Sequence, residues 1–257
     1  MKRTATLIIP LSALLALADC GPYRTSRRYG DDGALRELVA YRGTGLAFTI
    51  RYEYDAAGRT VRMSKASPSH RQALADCSFY YDQMGRLKMY ACRQTIARGG
   101  RSFEDSRVKS FYYNASGGLV RTEASYKSAY SIALNKSPLS VIDYHYEGGK
   151  IQRITIAHGR VAGEATVGYD GGEIDRLEYR GYTAGRDGRT LAHHIRYSVR
   201  GAGALSAKNL LRDGPSLSRK QMMRIFREEK LADALDTLMR AGNTPLVIRE
   251  LEQSWLR

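Results

Sequence analysis

The stretch Ser78–Cys92, SFYYDQMGRLKMYAC, is the clearest copy of a unit that recurs along most of this chain. An aromatic run ends in Tyr81, a polar DQMG turn follows, and a second alternating run begins at Arg86. Asp82 suits the first position of a type I turn, because its carboxylate can accept backbone N–H groups just ahead of it. Gly85 suits the left-handed position that closes a three-residue hairpin loop with a bulge. The unit therefore reads as one β-hairpin.

The same frame returns at Tyr29, Tyr54, Tyr113, Tyr146 and Tyr169, with a weak copy at Tyr197. Spacings of roughly 23–33 residues are those of a supersecondary repeat. The copies at Tyr146 and Tyr169 are one residue shorter and carry Gly-Gly, which predicts a two-residue turn with positive φ at both positions. Two residues before the tyrosines stand Tyr52, Phe79, Phe111, Tyr144, Val167 and Ile195; only Arg27, in the first copy, breaks the column. Residues two apart on a strand share a face, so this column and its tyrosines point into one core. Beyond the turns come Leu35, Leu87, Leu119, Ile151 and Ile174, with Leu38, Tyr90, Ile154 and Leu177 three residues further on.

Y-D-x-x-G-R-L at 81–87, repeated in this way across about 23–205, resembles the YD repeat of the Rhs family of bacterial shell-forming proteins. The resemblance implies a mainly β fold, an antiparallel sheet of about seven hairpins over 20–205.

Residues 1–19 read as an export signal: Lys2 and Arg3 precede an apolar run from Leu7 to Ala18, short for a membrane span. Two cleavage readings stand. Leu17-Ala18-Asp19-Cys20 resembles a bacterial lipobox and would place a lipid on Cys20, although Asp19 stands where a small residue is preferred; Ala16-Leu17-Ala18 would instead release a soluble periplasmic or secreted protein. With Cys20 assigned to lipidation, Cys77 and Cys92 remain. Both fall in inward columns of neighbouring strands, close enough for a disulfide in an oxidising compartment.

The 257 residues carry 41 Lys+Arg against 26 Asp+Glu, a net charge of +15, and are 43% hydrophobic. That is enough apolar content for a core, with a positive surplus that attracts anionic lipid, acidic glycan or an acidic protein. Nucleic acid is set aside, because an exported chain seldom meets it. Arg98 and Arg101 flank Gly99-Gly100 in a basic loop and are the candidate anion contacts. His70, His145, His158, His193 and His194 are scattered without metal-ligand spacing, and no catalytic constellation, metal set or cofactor motif emerges.

Near residue 206 the apolar period changes from two to 3.6. Residues 206–217 read as a linker and 218–257 as a small helical cap of two helices. Ser218 and Gln221 form the capping box of the first, which carries Met222, Ile225, Phe226, Leu231, Leu235, Leu238 and Met239; Pro245 opens the second. Arg219, Lys220, Arg224 and Arg227 make the first helix an alternative partner-binding or membrane-surface element. The expected function is a non-enzymatic envelope lipoprotein that binds an anionic surface or protein. The alternatives are an immunity lipoprotein against a secreted toxin and an enzyme acting on envelope glycans.

Overall fold

The computed structural model describes residues 23–68, 74–98, 101–128, 140–159, 161–185, 188–200, 204–211, 216–240 and 244–256. The export signal, Cys20 and the segment 131–138 lie outside them. Fourteen strands form one antiparallel sheet in which every strand pairs with its neighbours in sequence. They are β1 (Arg24–Tyr29), β2 (Leu35–Arg42), β3 (Gly45–Tyr54), β4 (Thr60–Ala66), β5 (Ala75–Tyr81), β6 (Leu87–Arg98) and β7 (Arg101–Tyr113). There follow β8 (Leu119–Ser128), β9 (Ser140–Glu147), β10 (Lys150–His158), β11 (Val161–Asp170), β12 (Glu173–Gly185), β13 (Gly188–Arg200) and β14 (Ala204–Asn209). The chain closes with α1 (Arg219–Glu228), α2 (Leu231–Arg240) and α3 (Thr244–Leu256).

The turn chemistry is the expected one. Asp82 Oδ1 accepts the N–H groups of Met84 and Arg86, both at 2.9 Å, and Gly85 sits at φ 78°. Gly148 and Gly149 both have positive φ, 57° and 78°, as a two-residue turn requires. A second bulge follows each turn. Tyr81 pairs with Leu87 while Tyr80 pairs with Met89, so Lys88 is left over. The same slip leaves over Arg36, Val61, Val120, Gln152 and Asp175. An unbroken strand would turn residues three apart to opposite faces; the bulge absorbs one position and returns Leu38, Met63, Tyr90, Ile154 and Leu177 to the core.

All six residues of the column before the tyrosines are buried. Cys77 pairs directly with Cys92 on the same face, with Cα atoms 4.0 Å apart, and the two are disulfide-bonded.

The tyrosines themselves stitch one repeat to the next. The hydroxyls of Tyr54, Tyr81, Tyr113, Tyr146 and Tyr169 donate to the carbonyls of Leu35, Thr60, Leu87, Leu119 and Ile151, at 2.7–3.1 Å. Each acceptor is the residue at or next to the start of the adjacent strand. The basic residue beyond the preceding turn lies over the ring: Arg36 on Tyr54, Arg59 on Tyr81, Arg86 on Tyr113 and Lys150 on Tyr169, with centroid distances of 4.6–5.3 Å. Asp55 and Asp82 hold Arg59 and Arg86 in place at 2.7 Å. These arginines therefore belong to the structural repeat, although sequence reading finds no phase in them.

Two boundaries differ from expectation. The sheet runs on through β14 to Asn209, inside the stretch expected as linker. The seventh hairpin, β13–β14, is the weak copy: Tyr197 is buried and donates to Met222 O at 2.9 Å, inside the helical cap, instead of to a neighbouring strand. The first expected helix is broken in two. Glu229 N–H donates to Ile225 O and Lys230 N–H to Arg227 O, and Lys230 turns left-handed at φ 64°. The break lets Leu231 and Ala234 reach full burial.

The helices lie against the inner face of the sheet. Met222, Ile225 and Phe226 of α1, Leu231 and Ala234 of α2, and Trp255 of α3 join the strand residues in one core. Polar anchors from β3, β4 and β9 cross the same interface. Tyr52 donates to Glu252 at 2.5 Å, Lys65 to Trp255 O at 2.8 Å and Tyr144 to Ala234 O at 3.0 Å.

Candidate functional site

Along β7 the inner face turns polar. Asp105, Arg107 and Lys109 share the face of Phe111. Lys109 Nζ donates to Asp233 Oδ1 at 2.9 Å and to Thr237 Oγ1 at 2.7 Å, both on α2. Tyr126 of β8 donates to Asp105 at 2.5 Å. Beside this patch is a cleft of about 840 Å³ between sheet and helices, with Arg107, Lys109, Tyr126 and His158 on one wall and Arg227, Lys230 and Asp233 on the other. Burial by itself would raise the Asp233 carboxyl, but the Lys109 ammonium overcomes it and holds the group below the usual aspartate value. Asp233 is thus an ionised anchor, already committed to Lys109.

A second anchor closes the far end. Tyr179 donates to the Glu229 carboxylate, which His193 Nε2 approaches at 3.2 Å. Burial first, and then the adjacent Glu229 charge, push the Tyr179 phenol well up, so it remains a donor. Two glycines make room. A Cβ on Gly163 would lie 2.1 Å from the Tyr179 hydroxyl, and one on Gly181 would lie 2.7 Å from the Glu229 carboxylate.

Several cations on the outer face of the sheet are paired with acids across strands. Arg51 meets Glu37 at 3.0 Å, Arg62 meets Asp76 at 2.5 Å, Arg121 meets Asp143 at 3.4 Å, and Glu178 takes both His194 and Arg196. These cations are therefore partners of acids on neighbouring strands. Positive charge is instead gathered on the solvent side of α1. At about 100° per residue, Arg219, Lys220, Arg224 and Arg227 fall within an arc of about 140°. All four are exposed, and Glu228, about 40° beyond the arc by the same spacing, pairs with Arg224 at 3.6 Å. The capping box formed by Ser218 and Gln221 fixes the start of this helix.

The remaining candidates are dispersed. Arg98 and Arg101 face each other in backbone register at the β6–β7 hairpin end, and their side chains lie outside the described residues. His145 contacts Thr155, while His193 and His194 contact different glutamates. Among the described residues, no group of three His, Cys, Asp or Glu side chains could hold a metal ion. No helix among them is long and apolar enough to cross a membrane.

Sheet, ladder and docked helices define an antiparallel β-hairpin repeat protein with a C-terminal helical cap. No protein-family model and no curated protein matches the sequence. Among solved structures, the crystal structure of TcdB2-TccC3-TEV is similar at a TM-score of 0.33 and 11% identity. The match covers 77% of this chain and 13% of that one, and at this score it assigns neither family nor function.

Proposed function

We propose that this protein is a non-enzymatic binding module of the bacterial envelope, exported and tethered by lipid at Cys20, that docks on an anionic surface through the exposed face of α1. The observation that carries the reading is the contrast between two basic surfaces. Arg51, Arg62 and Arg121 on the outer sheet face are paired with carboxylates of neighbouring strands, whereas Arg219, Lys220 and Arg227 share one exposed helical arc with Arg224. Because the apolar side of α1 is packed on the sheet, the helix presents charge at a fixed angle and adds a juxtamembrane attraction of about 1 kcal/mol per cation near an anionic bilayer. Such attraction reinforces a lipid anchor.

Cosedimentation with vesicles of phosphatidylcholine and phosphatidylglycerol tests the electrostatic half. Arg219→Glu with Arg227→Glu should weaken binding at low salt and leave the melting temperature within a degree or two. Arg51→Glu with Arg121→Glu, on the outer sheet face, should weaken it far less, and added salt should erase the difference. Equal binding by the α1 double variant and the parent at low ionic strength would end this reading.

A further inference from the structure

The tyrosine ladder has an open first rung. Each of the five inner tyrosines lays its ring across the start of the antiparallel strand on its N-terminal side and donates to a carbonyl there. Tyr29 ends β1, which among the described residues is an edge of the sheet with no strand on that side. Its side chain is 61% exposed, and its hydroxyl has no hydrogen-bond partner among the described residues. A cleft of about 670 Å³ lies alongside, lined by Tyr29, Arg27 and Tyr52 from the sheet and by Pro245, Ile248 and Arg249 from α3.

We infer that β1 is a docking edge for an extended acidic segment of another protein, added as an antiparallel strand outside β1. The main chain of such a segment would continue the sheet by strand addition and offer its carbonyl to the Tyr29 hydroxyl. Its charge follows from the edge itself. Arg24, Arg27 and Arg28 all lie on β1, and Arg249 of α3 stands exposed beside the cleft. Arg28 approaches Glu37 at 3.3 Å and Arg27 approaches Glu252 at 3.8 Å, yet their side chains stay 67% and 54% exposed. A second copy fits poorly. Its β1 would bring the same arginines, and its other edge, β14, is ALSAKN, with a lysine and no acid. Edge arginines alone would be explained as guards against unwanted strand pairing. The unfilled tyrosine position beside them distinguishes a docking edge from a merely guarded one.

The test is amide hydrogen exchange and binding on the intact protein, using a peptide as long as β1 that alternates glutamate with threonine. Added peptide should slow exchange of the β1 amides, while the same peptide with lysine for glutamate should not bind. Tyr29→Phe should weaken binding by about fivefold, as loss of one net hydrogen bond does, and Arg27→Glu with Arg28→Glu should remove it. Equal binding of acidic and lysine peptides to the parent would overturn the inference. So would β1 amides equally protected without peptide, which would mean that the chain's own segment fills the edge. A concentration-dependent dimer that protects the same amides would replace the acidic partner with a second copy.

Discussion

Phe79→Ala is expected to destabilise the protein by about 3–5 kcal/mol, the usual range for removing a buried aromatic side chain. Phe79 is 3% exposed, and its ring meets Tyr90, which in turn meets Phe111, at centroid distances of 6.3 and 6.2 Å. The substitution opens a cavity in a core column that continues through Tyr52 and Tyr144 in other hairpins, where the neighbouring strands are pinned by their ladders and cannot collapse to fill it. The control is one residue away. Tyr80 points to the other face and is 48% exposed, so Tyr80→Ala should cost within about 0.5 kcal/mol, as ordinary surface changes do. Urea denaturation of both variants measures the difference. Equal losses would mean that the hairpin register, and with it the assignment of inner and outer faces, is wrong.

Leu231→Ala is expected to cost about 2–5 kcal/mol. Leu231 is fully buried at the start of α2, immediately after the left-handed Lys230, and belongs to the core shared by sheet and helices. A helix pair that only tethered the sheet to a partner would tolerate this change. A cap whose side chains complete the core would not, because two short helices have no stability of their own. The same urea series should show one cooperative transition shifted to lower denaturant; an unshifted midpoint would mean that α2 contributes nothing to the core.

Much of this architecture is legible in the sequence because it is local. The column from Tyr52 to Ile195, the turn chemistry of Asp82 and Gly85, the paired positions of Cys77 and Cys92, and the capping box at Ser218 each depend on residues close in the chain or in phase with the repeat. The bulge at Lys88 and its equivalents is also written there, in the apolar residues three apart that a plain strand would turn to opposite faces. The break at Lys230 has its sign too: Phe226 to Leu231 is a step of five, where an unbroken helical stripe steps by three or four. What escapes is long-range. Nothing local pairs Tyr52 with Glu252, 200 residues later, or Lys109 with Asp233. The cations that ride on Tyr81 and Tyr113 look like unphased surface charge until the neighbouring hairpins are set side by side. The same holds for the basic arc of α1, whose meaning depends on which side of the helix the sheet covers. Asp105, Arg107 and Lys109 alternate in phase with Phe111, so their inward placement could have been read by extending that strand backward.

The central claim is that the C-terminal helices are clamped onto the inner face of the repeat sheet, which leaves α1 its outward basic face. A double-mutant cycle between Tyr52→Phe and Glu252→Gln tests it most directly, because these residues meet only if α3 lies across β3. The account predicts that the two substitutions are non-additive in unfolding free energy, with a coupling of about 0.5–3 kcal/mol. Strict additivity, with each single variant keeping its full effect in the presence of the other, would contradict it.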